Sequence, residues 1–212
     1  MSASSETSTA THRVAIIMFE DCDLLDTGGP YEVFLTASRI AERDGRPRPF
    51  DVDMVTIDGQ PVKAYGGLGL VPTASPEALD KADMVIVPGA IDLDSALADS
   101  DLAAALKRSA ERPDAIVASV CTGAFLLGSV GALDGADWTT HWEDIDLLTE
   151  MVPNGATRGV RWVDNGHIVT GGALSSGIAM SLHLVARTAS PELAERTARQ
   201  LDYEWNNTSL VS

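Results

Sequence analysis

The chain has 212 residues, 45% of them hydrophobic and 22% charged, and its 15 basic and 31 acidic residues give a formal charge of −16. That length suits one globular domain burying roughly 70% of the surface its unfolded chain exposes, and so acidic a surface repels phosphate backbones and argues against a nucleic-acid partner. No apolar run reaches the ~18–20 residues of a membrane span.

The opening residues 1–12, MSASSETSTATH, are rich in Ser and Thr and lack the apolar core of a secretion signal. They are expected to form a flexible tail ahead of a single domain over 13–212, and the two cysteines are expected to be reduced thiols in the cytoplasm. RVAIIMF (13–19) is a short Val/Ile-rich run that predicts a strand buried on both faces. GPYEVFLTASRIAER (29–43) places Val33, Phe34, Ala37, Ile40 and Ala41 at helical spacing, with Pro30 in the first turn. FDVDMVTID (50–58) alternates like a strand, and QPVKAYGGLGLVPT (60–73) predicts a Gly-rich hairpin outside the main sheet.

ADMVIVPGA (82–90) predicts another buried strand, and LDSALADSDLAAALKRSAERP (93–113) one helix halted by Pro113. AIVASV (115–120) and TGAFLLGSVG (122–131) follow as strand and helix, and a helix is expected from about Glu143. VRWVDNGHIVTGG (160–172) predicts a strand pair turning at Asn165-Gly166, before two terminal helices over 175–189 and 191–205. Strands alternating with helices indicate a mostly parallel sheet with helices on both faces, whose ligands bind at the carboxyl ends of the strands.

Cys121 falls where AIVASV hands over to the next helix. A nucleophile at such an elbow is held on a sharp bend at the sheet edge, with the Thr122 and Gly123 N–H groups of the helix start beside it. That setting is expected to lower the thiol pKa, and Gly123 lets another backbone approach the bend. A small buried hydrophobe is the competing reading of Cys121. Asp26 reads locally as a helix N-cap ahead of Gly28-Gly29-Pro30. Cys22 lies in a charged stretch with no base nearby and reads as an incidental, oxidisable thiol. His12, His167 and His183 have no metal-ligand spacing among themselves or with the cysteines, so no metal site is expected.

The segments VPGA, SVCTGAFLLGSVGALDG and TTHW, in this order, resemble the ThiJ/PfpI (glutamine-amidotransferase-like) superfamily, and LDTGGPYEVF (25–34) is similar to its isonitrile hydratase branch and to the amidase-like halves of certain transcription regulators. The resemblance spans about residues 13–205. It implies a flavodoxin-like sandwich, a homodimer, Cys121 as the reactive thiol, and Asp26 as a neutral acid sharing a proton with it, where many relatives carry glutamate. Thr122 stands in place of the histidine that follows the cysteine in protease-like relatives; peptidase activity is not expected, and its hydroxyl is free to meet substrate or water. His141 of TTHW falls where other relatives place an active-site histidine, and Gly89, Ala90, Gly123 and Gly172 complete the implied substrate and oxyanion pocket. The chain departs from the hydratase pattern at Ala179, where those relatives carry aspartate, and a helix-turn-helix module like that of the regulators is not expected.

The expected function is therefore a cysteine-dependent hydratase of a small electrophile, an isonitrile converted to an N-substituted formamide, needing no cofactor and binding neither nucleic acid nor membrane. A cofactor-independent glyoxalase or deglycase and a non-catalytic redox sensor are the alternatives.

Overall fold

A computed structural model describes residues 11–210. β1 (His12–Ile17) takes in His12, so the first strand begins inside the segment expected to be a tail; residues 1–10 of that segment lie outside the described residues. β1 sits between β2 (Phe50–Val55) and β5 (Met84–Val87), parallel to both, with Val14 opposite Val52 and Met84. The six-stranded sheet runs β2-β1-β5-β6-β8-β7, where β6 is Ile116–Ser119, β7 Trp162–Asp164 and β8 Ile168–Gly171. Every pairing is parallel except the β7–β8 edge hairpin. β3 (Val62–Lys63) and β4 (Gly69–Leu70) form a separate small antiparallel hairpin.

Period-two alternation divides the strand side chains between two cores. Val14, Ile16, Met84, Ile86 and Ala118 face one side, where they pack with Val33, Phe34 and Ala37 of α1 (Leu24–Arg43), Met180 and Leu184 of α7 (Ser176–Thr188), and Leu193 of α8 (Pro191–Gln200). Ala15, Ile17, Val85, Val87 and Val117 face the other, against Leu102 and Leu106 of α4 (Ser100–Ala110), Phe125 and Leu126 of α5 (Gly123–Ser129), and Leu148 of α6 (Ile145–Met151). Both faces are covered, as an all-apolar parallel sheet requires.

Two helix starts differ from the expectation. α1 begins at Leu24, not near Gly29: Asp23 is the N-cap, accepting from the Leu25 N–H at 3.1 Å, and Gly28, Gly29 and Pro30 lie inside the helix. Gly29 has a packing reason to be there, since a Cβ would stand 3.1 Å from Ile178 Cγ1 on α7. The helix expected over 93–113 is two, α3 (Leu93–Ala98) and α4, because the Asp99 carboxylate caps a fresh start by accepting from the Asp101 and Leu102 N–H groups. α2 (Ala78–Lys81) is a single turn leading into β5. No helix of the described residues is long and apolar enough to cross a membrane.

Strand order reverses at β1/β5, the switch point at which open parallel sheets gather their ligand sites. The loops after β1 and β5 are stitched together there: Cys22 bridges Ala90, and the Asp23 N–H donates to the Gly89 carbonyl at 2.9 Å.

Candidate active site

Cys121 follows β6 with φ of +54°, a left-handed conformation that costs a non-glycine residue roughly 1–3 kcal/mol. Two bonds hold it there: its N–H donates to the Gly172 carbonyl at 2.8 Å, and its own carbonyl accepts from the Thr140 hydroxyl at 2.7 Å. Gly123 is required by the bend, because a Cβ would lie 2.5 Å from the Val87 carbonyl oxygen and 2.8 Å from that of Pro88. The thiol, on a residue only 7% exposed, opens into a cavity of about 220 Å³. The walls are Gly89, Ala90, Ile91, Thr122, His141 and Leu174, and Asp23, Glu143 and Asp144 bring three carboxylates to them.

Asp26 lies in the first turn of α1, yet its carboxyl turns away from its own helix amides. Oδ2 accepts from the Gly89 N–H at 3.0 Å, across the β1/β5 switch point. The side chain is fully buried, and Oδ1 has no hydrogen-bond partner. The cap reading of Asp26 therefore fails; Asp23 holds that position. Burial, opposed by the Gly89 N–H and helped by the charge of Asp23, pushes the Asp26 carboxyl up from 3.8 to about 7.

Cys121 departs from the sequence expectation. Burial first, and then the neighbouring Asp26 charge, push its thiol up to about 12, against the pull of the Thr122 and Leu174 backbone N–H groups. α5 is only seven residues long, and its Gly123 N–H is occupied by the Val120 carbonyl at 2.9 Å. A helix start so short and so occupied does not offset the loss of water.

The implied oxyanion donors are likewise committed. The Gly89 N–H serves Asp26, and the Ala90 N–H donates to Thr122 Oγ1 at 3.0 Å. The Thr122 hydroxyl returns a bond to the Ala90 carbonyl at 3.0 Å, so it ties the elbow to the β5 loop and is not free for substrate. Gly172 lies outside the cavity wall and acts through its carbonyl on the Cys121 N–H. His141 does line the cavity, half-buried, with Nδ1 accepting from the Glu143 N–H at 3.3 Å and 3.5 Å from Asp144 Oδ2. Cys22 is fully buried, with its thiol pushed up by that burial, so it is not the exposed, oxidisable thiol expected.

Thr140 and Leu174 were not singled out from the sequence. The Thr-Thr preceding His141 is the signal for the first, since a buried hydroxyl beside a candidate site must find an acceptor. Nothing local marks Leu174, because its contribution is a backbone N–H. Among the described residues no cluster of three His, Cys, Asp or Glu could hold a metal ion.

A parallel α/β sheet with a strained cysteine elbow at its carboxyl edge, and a buried acid bonded to the Gly89 N–H across the switch point, defines a class of protein. The chain belongs to the DJ-1/PfpI family, whose model matches residues 12–187. It is 36% identical over 143 residues to an uncharacterised protein of the cpoL 5′ region in Streptomyces lividans, covering 68% of this chain and 96% of that protein. It is 29% identical over 191 residues to the isonitrile hydratase of Pseudomonas putida, covering 90% and 78%. Among solved structures, an AraC family transcriptional regulator from Pseudomonas putida superimposes with a TM-score of 0.78 at 25% identity, covering 90% of this chain and 99% of that one. The relatives thus include both an enzyme and regulators.

Proposed function

We propose that this protein is a cysteine-dependent hydratase of small neutral electrophiles, converting an isonitrile and water to an N-substituted formamide. One observation carries the reading: the Asp26 carboxyl is fully buried, held by the Gly89 N–H with Oδ1 unpartnered, and lies near enough to Cys121 for its charge to push the thiol up. A carboxyl balanced at neutral pH can both take and give a proton, as general acid–base catalysis demands.

The thiol is the resting form, and Asp26 is its base. Moving the S–H proton to the Asp26 carboxylate, directly or through one water, replaces one negative charge by another without adding to the total. It also removes the repulsion that holds the thiol pKa high. The sulfur then bonds to the terminal isonitrile carbon as Asp26 passes the proton to that same carbon, giving a thioimidate. Water adds to the thioimidate carbon, and its two protons end on the nitrogen and, as the C–S bond breaks, on the sulfur. The product is the formamide, and both residues return to their starting state. The acidic wall of Asp23, Glu143 and Asp144 disfavours anionic substrates and suits a neutral isonitrile.

A thiol pushed up to about 12 is a poor peroxide sensor, since oxidation follows thiolate character, and this favours the hydratase over the sensor. Incubation with phenyl isonitrile should yield formanilide, and Cys121→Ala should abolish it. Lactate from methylglyoxal, dependent on Cys121 and without formanilide, would replace the proposal by a glyoxalase.

A further inference from the structure

A second cavity, of about 310 Å³, lies behind the two loops that carry His141 and Leu174. Its chemistry is the reverse of the Cys121 cavity. The lining includes Trp142, Ile145, Val160, Ser175 and Ser176, holds one cation, Arg161, and has no carboxylate. In a chain with 31 acidic residues against 15 basic ones, Arg161 lines this cavity and forms no salt bridge with any acid among the described residues. Its guanidinium makes one hydrogen bond, from Nη1 to the Tyr203 hydroxyl at 3.2 Å, leaving the other N–H donors unpaired among the described residues. Trp142 is 68% exposed at the rim, its indole tilted against the His141 ring with centroids 5.5 Å apart.

A cavity of this volume, mostly apolar with a few converging polar groups, is the usual build of a small-molecule site. The planar guanidinium fits a carboxylate in bidentate fashion, and the indole offers a flat apolar surface beside it. We propose that this cavity binds a small monocarboxylate with a flat apolar body, its carboxylate on Arg161 and its body against Trp142. Two of its wall residues also clamp the elbow: Thr140 through the Cys121 carbonyl and Gly172 through the Cys121 N–H. The ligand would therefore sit against the residues that hold the nucleophile, though its binding does not depend on which reaction Cys121 performs.

Calorimetric titration with benzoate, and with benzamide as its neutral isostere, tests this on the full chain. Wild type should saturate with benzoate and prefer it to benzamide, and Arg161→Gln should bind benzoate about 10- to 100-fold more weakly, the scale of a lost hydrogen bond to a charged group. Arg161→Lys keeps the charge without the fork, so it should retain a reduced preference for benzoate and serves if the glutamine variant fails to fold. Protein carboxamidomethylated at Cys121 should bind benzoate as wild type does. Equal binding of benzoate and benzamide, a glutamine variant as tight as wild type, no saturation of wild type, or loss of binding on alkylation would each overturn the proposal.

Discussion

Asp26→Asn should stabilise this protein above about pH 4, by an amount that grows until about pH 7. The native carboxyl has its pKa raised from 3.8 to about 7, because the charged form is buried with the single Gly89 N–H to support it. Between those two values the folded state holds a proton that the unfolded chain has released. Stability from this group is thus fully present below 3.8 and is lost as pH rises through about 7. At ~1.4 kcal/mol per pH unit, the ionised carboxyl costs the fold about 4 kcal/mol by pH 8. Asparagine keeps the size and can still accept from the Gly89 N–H, but carries no charge at any pH. Urea unfolding of both proteins at pH 8 should show the variant more stable by about 4 kcal/mol, with the gap closing towards pH 4. A gap below about 1 kcal/mol at pH 8, or one independent of pH, would refute the buried, raised acid.

Other predictions follow from the same geometry. Gly89→Ala places a Cβ 2.6 Å from Thr122 Oγ1 and 2.9 Å from Asp26 Oδ2, so urea unfolding should show a loss of roughly 1–3 kcal/mol from forced repacking. Alkylation of Cys121 by iodoacetamide should keep accelerating from pH 7 to pH 10 without a plateau, because the thiol is pushed up to about 12; a plateau by pH 8 would restore the low-pKa elbow. The kcat/KM for an isonitrile should rise with pH through about 7 as Asp26 gains its base form, and a fall over that range would contradict the proton route. We also propose a homodimer, which sedimentation should show as a mass of twice 22.4 kDa.

Much of the fold was legible because it rests on patterns local to each segment. Val14/Ile16 against Ala15/Ile17 is a two-faced strand in any context, and the Gly66-Gly67 pair between short β-runs is a hairpin turn. Boundaries failed where a side chain competed for backbone amides. Asp23 and Asp99 each begin a helix, one five residues earlier than the Gly28-Gly29-Pro30 signal and one within an unbroken helical period. At the site, the residue types and their convergence at the strand ends were readable; who bonds whom was not. The Gly89 and Ala90 N–H groups look free in sequence, but the side chains that occupy them come from 63 and 32 residues away. The thiol pKa departs from the expectation for a related reason: a helix start is visible locally, whereas burial and the nearby Asp26 charge are properties of the assembled switch point.

The central claim, that Asp26 and Cys121 work as one proton-sharing pair on an isonitrile, is tested most directly by formanilide production from phenyl isonitrile at pH 7 with Asp26→Asn. Intact-mass analysis of iodoacetamide labelling should show that Cys121 in the same preparation still alkylates. The account predicts turnover lower on the order of 100-fold or more, the scale of a lost general acid–base group, with labelling at least as fast as wild type because the neighbouring charge is gone. Turnover equal to wild type in a variant that alkylates normally would contradict it.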